Sequence, residues 1–474
     1  MADLKVWLLT LLSLVVVGSA DAAPPSRPNV LVIITDQQHA GMLSAAGNPY
    51  VRTPAMDGLA ASGARFELAY CGNPVCVPSR FGMLTGVMPS RIGMRDNNTK
   101  LKVPEEILAD CMGRVFSNAG YETVYGGKLH TPMTLEQMGF AQLTRDEREE
   151  LATACADFLR QKHERPFLLV ASFINPHDIC YMAIRAHAEA VKAQGRKARN
   201  LTSENPAIAA LDAAIELPEG VSREEFFAKH CPPLPANFEI PPGEPDGAWN
   251  PQSKDFRNYV RQNWTDEDWR LHRWAYARLT ERVDGQIGQV LAALRESGLE
   301  EDTLVVFTSD HGDLDAAHRL EHKSMHYDEA SRVPLIVSRK GVTKPGLVDR
   351  EHLVSTTLDL IPTVCDFAGI AIPEALHGRS VRPLAEGQTP ASWRKGLITE
   401  GRRFVMVRSP RFKYAVYADG ERREVLTDME KDPGEMQNLA TDPAFAPILT
   451  QHRQYLVHWY EGHGETLDPV FVVK

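Results

Sequence analysis

Asn29-Val-Leu-Val-Ile-Ile-Thr35 is followed at once by Asp36-Gln37-Gln38-His39. A continuous apolar, β-branched run of this length reads as a strand buried on both faces, ending in polar groups that it delivers to one place. Three more segments share the design. Tyr121–Tyr125 runs into Gly126-Gly127-Lys128-Leu129-His130, Pro166–Ile174 into Asn175-Pro176-His177-Asp178, and Thr303–Thr308 into Ser309-Asp310-His311-Gly312-Asp313. Helical patterns separate them, over Thr53–Ser62, Glu105–Ala119, Asp146–Lys162 and Asp266–Ser297. Strands alternating with helices predict an α/β fold, a large mainly parallel sheet sandwiched by helices, which binds ligands beyond the carboxyl ends of its strands. The four polar clusters are therefore expected in one crevice. Many unrelated enzymes share this topology, so it does not specify the chemistry.

A second stretch carries the reactive group. Cys71-Gly-Asn-Pro-Val-Cys76-Val-Pro-Ser-Arg80-Phe-Gly-Met-Leu-Thr-Gly86 reads as a loop entering a helix, with glycine at the helix end and Pro89 just beyond. Cys76 is expected at the helix N-terminus, where free N–H groups and the positive dipole end favour a thiolate, an oxyanion, or a sulfate or phosphate ester. A buried, inert cysteine is the alternative. Asp36, Asp310 and His311, from two separate strand ends, are the best metal candidates, because carboxylates suit a hard cation such as calcium, magnesium or manganese. N-capping of two helices is the alternative for the aspartates.

Cys76-Val-Pro-Ser-Arg80 resembles the signature of type I sulfatases, the formylglycine-dependent members of the alkaline phosphatase superfamily. The resemblance extends over about Pro28 to Ala440. Lys128 and His130 resemble the family's Lys-x-His, His177 its Pro-His, and Lys323 the lysine downstream of its Asp-His pair. Lys431-Asp-Pro-Gly-Glu435 resembles a passage of its small C-terminal domain. The resemblance implies an alkaline phosphatase-like fold and hydrolysis of sulfate esters with release of inorganic sulfate. It implies that a maturation enzyme oxidises Cys76 to formylglycine, whose hydrated aldehyde is the nucleophile. It also implies one divalent cation, held by Asp36, Asp310, His311 and residue 76. Arg80 is then expected to pin residue 76 and a ligand carboxylate by bidentate contact, and Lys128 to supply charge to the ester oxygens. His130 is expected to take a proton as sulfate is expelled, and His177 or Lys323 to protonate the leaving alcohol. Two positions depart from the family pattern. Gln37 stands where a second acid is usual and His311 where many relatives have Asn, which lowers site charge and moves preference toward transition metals. Calcium is the expected ion, manganese the alternative, and the role of Gln37 is open.

The rest of the chain bounds this reading. With 474 residues, 43% hydrophobic and 24% charged, it is an ordinary globular protein with room for one large core and a smaller domain. A net charge of −10 leaves no general footprint for nucleic acid, so attraction to a polyanion needs a local basic patch. Met1–Ala23 carries Lys5, an apolar run from Val6 to Val17 and small residues before Pro24, the layout of a signal peptide. The protein is therefore expected to be secreted or periplasmic, with no membrane span once mature. Seven cysteines are too sparse for a disulfide scaffold, and Cys111, Cys155 and Cys365 lie in helix-like apolar patterns that imply burial.

The catalytic domain is expected over residues 24–385. Cys180 to about Asp266 breaks the rhythm with a Pro-rich passage and Trp249 and Trp264. It is expected to be a substrate-facing cap, with Arg185, Arg257 and Arg261 as candidate sugar contacts and inert decoration as the alternative. Residues 386–474 are expected to form a small α+β domain with an antiparallel sheet, from short strands at Phe404–Val407, Lys413–Tyr417 and Arg423–Thr427 and a last helix from Asp442 to His458. A signal peptide and a long cap favour sulfated polysaccharides or oligosaccharides as substrate. The rival enzyme is a phosphonate or phosphate monoester hydrolase of the same superfamily. The rival from another class is an inactive carbohydrate-binding paralogue whose cysteine is never converted.

Overall fold

The computed structural model describes residues 27–248 and 255–473. In chain order its strands are β1 (Asn29–Asp36), β2 (Ala64–Phe66), β3 (Ala69–Tyr70), β4 (Glu122–Gly127), β5 (Ala141–Gln142), β6 (Phe167–Pro176), β7 (Thr303–Ser309), β8 (Leu335–Ser338), β9 (Leu347–Asp349) and β10 (Val354–Ser355). Eight of them form one sheet in the order β5-β4-β6-β1-β7-β8-β2-β9, and β3 pairs separately with β10. Only β8 runs antiparallel to its neighbours, β7 and β2. After β4 and the edge strand β5, the chain returns to place β6 beside β1 on one side and then crosses to lay β7 beside β1 on the other. This topological switch opens a crevice at the carboxyl end of β1.

Burial on both faces follows the alternation of side chains along each strand. Val30, Val32 and Ile34 of β1 join Leu168, Val170, Leu304 and Val306 in one apolar layer. Leu31 and Ile33 join Phe167, Leu169, Val305 and Phe307 in the other. Helices Cys76–Thr85 and Thr356–Ala368 cover the first layer; Pro54–Ser62, Leu151–Arg160 and Asp266–Glu296 cover the second. The 31-residue helix Asp266–Glu296 starts with a capping box, Thr265 and Asp268 exchanging hydrogen bonds.

Beyond residue 385, β11 (Leu397–Glu400), β12 (Phe404–Arg408), β13 (Phe412–Tyr417) and β14 (Glu424–Asp428) form an antiparallel sheet packed on the helix Ala446–Gly462. Three expectations needed adjustment. The helix expected over Asp146–Lys162 begins only at Leu151, because Asp146 Oδ1 accepts the N–H groups of Arg148, Glu149 and Glu150 and holds a turn there. The helix expected over Glu105–Ala119 is two, Glu105–Ala109 and Met112–Asn118, with the extended Cys111 between them. The Cys180 to Asp266 insert is less irregular than its prolines suggest, since Cys180–Ala193, Pro206–Ile215 and Phe256–Asn263 are helices. The expected signal peptide lies outside the described residues.

Candidate active site

Cys76 is the first residue of the helix Cys76–Thr85, whose every residue is buried. Val75 before it is extended, Pro78 sits in the first turn where its missing N–H costs nothing, and Gly86 closes the helix with φ +71°. The Val77 N–H, which has no partner within the helix, donates to Asn97 Oδ1 at 3.0 Å. Gly82 faces Thr357 so closely that a Cβ there would lie 2.5 Å from a Thr357 side-chain atom. This contact seats the helix against the one that follows β10. Cys76 and Arg80 are four residues apart and share a face. Both point at the carboxyl ends of β1 and β7.

There Arg80 spans two buried carboxylates. Its Nε donates to Asp310 Oδ2 at 2.9 Å and its Nη2 to Asp36 Oδ2 at 2.9 Å. Its Nη1 donates to the Lys128 carbonyl at 2.9 Å and to Ser172 Oγ at 2.6 Å. The guanidinium therefore bridges the two acids with one N–H each, as the expected contact with a ligand carboxylate required, and makes no hydrogen bond to Cys76 among the described residues. Lys128 Nζ lies 2.6 Å from Asp36 Oδ2. Lys323 Nζ donates to Cys76 Sγ at 2.9 Å and to Gln37 Oε1 at 3.0 Å. His311 Nδ1 donates to the Gly312 carbonyl at 3.0 Å, which leaves Nε2 turned inward, 3.2 Å from Cys76 Sγ. Gly312 is required here, because a Cβ would sit 1.9 Å from the Glu329 carbonyl oxygen.

One ligand atom from each of Asp36, Cys76, Asp310 and His311 lies within 4.8 Å of the others, and all four residues are buried. That spread suits a single cation with oxygen and nitrogen ligands at about 2.0–2.6 Å. The charge balance agrees with it. Burial and the neighbouring Asp36 push Asp310 above its ordinary range. Burial also acts to raise Asp36, but Lys128, His177 and Arg80 hold it well below that range. Burial and Asp36 act to raise the Cys76 thiol, yet Lys323, Lys128 and His311 bring it well below ordinary.

The other expected residues surround this cluster. Half-buried His177 follows β6, and burial with the charge of Lys128 lowers it to about 4, so its ring is neutral at pH 7. His130 is exposed two residues after Lys128, with φ +38° and no hydrogen bond into the cluster among the described residues. Three residues were missed by sequence reasoning. Ser172 and the Lys128 carbonyl orient Arg80, and Asp313 Oδ2 fixes the Gln37 amide at 2.7 Å. Asn97 caps the Cys76 helix. Only Ser172 left a signal, a hydroxyl inside an otherwise apolar strand.

Lys323 arrives on an unusual loop. Asp315, Ala316, His318, Arg319, His322 and Ser324 all have positive φ, a conformation that costs a non-glycine residue of order 1 kcal/mol or more. Buried contacts with the C-terminal sheet hold the segment that follows. Lys413 Nζ of β13 lies 2.6 Å from Asp328 Oδ1 and 2.7 Å from Glu435 Oε1, and it donates to the His326 carbonyl at 3.1 Å. Tyr417 Oη and His326 Nδ1 share a hydrogen bond of 2.8 Å.

A cavity of about 980 Å³ adjoins the cluster, with Lys323 in its lining. Gly247, Ala248, Asp255, Arg257 and Asn258 of the insert form part of its wall. Among the described candidate sugar contacts, Arg257 alone lines it. Arg185 pairs with Asp212, Arg261 with Glu244, and Trp264 packs against Trp269 at 4.8 Å. Trp249 lies outside the described residues.

A buried cysteine at a helix N-terminus, faced by two lysines and a carboxylate pair at the switch point of an α/β sheet, defines an ester hydrolase for an anionic group. The chain belongs to the sulfatase family, whose model matches residues 28–370; a second model, described as N-sulphoglucosamine sulphohydrolase, C-terminal, matches residues 316–461. It is a sulfatase of the alkaline phosphatase superfamily and hydrolyses sulfate esters. It is 30% identical to the Delta 4,5-hexuronate-2-O-sulfatase of Bacteroides thetaiotaomicron, with 92% of this chain and 89% of that protein covered. Its fold matches the structure of a 2-O GAG sulfatase with a TM-score of 0.76 and 29% identity over 93% of each chain. The phosphonate monoester hydrolase of Agrobacterium radiobacter shares the fold, with a TM-score of 0.72 and 22% identity over 92% of this chain and 96% of that one. No helix among the described residues is long and apolar enough to cross a membrane.

Proposed function

We propose that this sulfatase releases sulfate from sulfated oligosaccharides or polysaccharides, using formylglycine made from Cys76 by a maturation enzyme and one divalent cation, calcium before manganese. The observation that carries the reading is the setting of Cys76 Sγ. It lies at a helix N-terminus, 2.9 Å from Lys323 Nζ and 3.2 Å from His311 Nε2, beside a lysine that also lines the cavity. The carbohydrate substrate is supported by the relatives named above. Export rests on residues 1–23, and the domain limits at 385 and 386 on the change of pattern there.

Cys76 Sγ stands where one hydroxyl of the matured side chain would be. Formylglycine supplies a hydrated aldehyde, one hydroxyl to attack sulfur and a second whose deprotonation expels sulfate. Asp36, Asp310, His311 and residue 76 would hold the cation, which would supply charge neutralisation at the sulfate and polarisation of an S–O bond. The protein's own groups do the rest. Arg80 keeps the two carboxylates apart and ionised, and Lys128 sets positive charge against Asp36. In the unconverted protein Cys76 and Asp36 outweigh the burial of Lys323 and raise it, and Asp36 stays beside it once residue 76 is converted, so a protonated Lys323 is placed to donate to a leaving alkoxide. Neutral His177 suits taking up and passing on a proton at the same side. His130, exposed beside Lys128, is free to accept the proton of the second hydroxyl.

The deciding experiment is the mass of the tryptic peptide Phe66–Arg80 from the native host, with sulfate release from a panel of sulfated sugars and matched phosphate and phosphonate esters. Loss of sulfur with gain of a carbonyl at residue 76, and faster release of sulfate than of phosphate, is the expected result. An intact thiol with no turnover would leave the binding-paralogue reading in its place.

A further inference from the structure

We infer that the cavity beside Lys323 contains a second oxyanion site, built on Arg95 and Arg257, for a carboxylate or a second sulfate on the substrate sugar or its neighbour. This rests on the carbohydrate-sulfatase reading and narrows it to doubly anionic substrates. A volume of about 980 Å³ is at the upper end of small-ligand sites and far exceeds one sulfate group. Because Lys323 belongs both to the lining and to the surroundings of Cys76, the cavity opens onto the reacting centre.

Its charge is the reverse of the chain's. Arg95, Arg257, Arg402, Arg403 and Lys323 face only two carboxylates, on a protein of net charge −10. Such a concave basic patch concentrates anions. The arginines come from three distant segments: the loop after the Cys76 helix, the insert helix Phe256–Asn263, and the turn between β11 and β12. Two of them are already engaged: Arg403 pairs with Asp419, and Arg402 lies 3.9 Å from Asp96.

Arg95 and Arg257 differ. Arg95 Nη1 and Arg257 Nε are buried and meet no hydrogen-bond acceptor among the described residues. Each guanidinium lies over an aromatic ring at 5.2 Å, Arg95 on Phe471 and Arg257 on Phe256, which fixes its plane. The nearby acid Glu321 does not fill this role, since both of its buried carboxyl oxygens are without a hydrogen-bond partner among the described residues. A buried guanidinium N–H without an acceptor is costly, and its planar fork matches an oxyanion.

The test uses two matched pairs of ligands: a monosulfated uronate-containing disaccharide with its carboxyl-reduced counterpart, and a disulfated hexosamine with its monosulfated form. Binding to the full-length, unconverted protein is measured by calorimetry, and kcat/KM is measured with matured enzyme. Loss of the second anion is expected to weaken wild-type binding roughly tenfold or more, the scale of one charge-assisted hydrogen bond. Arg95→Gln and Arg257→Gln are each expected to shrink that ratio toward one. The pair that shows the difference identifies the anion as carboxylate or sulfate. Wild-type ratios below twofold in both pairs overturn the inference without recourse to a variant, as does a ratio that survives both substitutions. Absence of turnover on every ester refutes the functional reading instead, and the calorimetric ratio still decides the site.

Discussion

Replacing Arg80 with methionine should expose what the two buried carboxylates cost. In the wild type, Arg80 is 1% exposed and gives one N–H to each of Asp36 and Asp310, one to the Lys128 carbonyl just after β4 and one to Ser172 of β6. Asp36 would still have Lys128 at 2.6 Å. Asp310 would keep only the backbone N–H groups of Gln37, at 3.1 Å, and His311, at 2.8 Å, together with its ion-pair distance to His311 of 3.6 Å. Removing one partner of a buried pair costs about 3–5 kcal/mol, and that is the expected loss in metal-free protein at pH 8. The loss should depend on pH in a defined sense. Burial and Asp36 already raise Asp310, and deleting Arg80 raises it further. An acid whose folded pKa lies above its unfolded value keeps its proton in the fold. Stability then falls as pH rises between those two values, by at most ~1.4 kcal/mol per unit. The deficit of the variant should therefore be smaller at pH 5.5 than at pH 8, and added calcium should recover part of it by supplying the missing positive charge. Urea unfolding in chelator at the two pH values, then with calcium, measures all three. A deficit under 1 kcal/mol at pH 8, or one that grows toward acid, would falsify the account of Arg80 as the counter-charge of the pair.

Cys76→Ser, made in a host that converts only cysteine, should fold and bind metal as the wild type does yet lose esterase turnover; wild-type-like activity sinks the proposed nucleophile. Lys413→Met should lower stability by about 3–5 kcal/mol, because Asp328 and Glu435 lose their buried cation, and kcat should fall with it as the Lys323 loop loosens. Unchanged kcat in folded variant would separate the loop from the sheet. Acid should weaken the fold through buried histidines: burial, then Lys413, lowers His318 to about 3 and His326 well below its usual value, and burial lowers His272 against Asp313 and Asp315. Neutral in the fold, each lets the unfolded chain bind its proton first, so stability is full above about pH 6.5 and drops below it. His318 and His326 together are worth about 3 kcal/mol at pH 5.5, with His272 acting in the same sense, and an unfolding free energy flat from pH 7.5 to 5.5 contradicts this.

The sheet and the polar strand ends were legible because continuous apolar runs have one reading when each stops at an ionisable residue. Asp36, Lys128, His177 and Asp310 come together for that reason. Short strands such as β2 and β9, three residues each, carry no periodicity and were invisible. The C-terminal strands were read correctly from alternation, but not the fact that Lys413 reaches back to Asp328, since no local pattern encodes a contact across 85 residues. Arg80 was foreseen as a clamp on residue 76 and a ligand carboxylate; it clamps two such carboxylates, because a guanidinium four residues from the cysteine can face either residue 76 or the acids beyond it. The insert was underestimated as irregular, since prolines dominate its middle while its helices lie toward the ends.

The bracing of the Lys323 loop by β13 and Glu435 also sets an order in time. As the chain is synthesised from its first residue, the helix that carries Cys76 appears early, but the lysine that closes over its sulfur cannot be held until residues 413 and 435 exist. The finished fold leaves Cys76 only 1% exposed. A maturation enzyme of the kind proposed above would therefore meet this cysteine as part of a nascent, unpacked segment, before the last stretch of the chain is made.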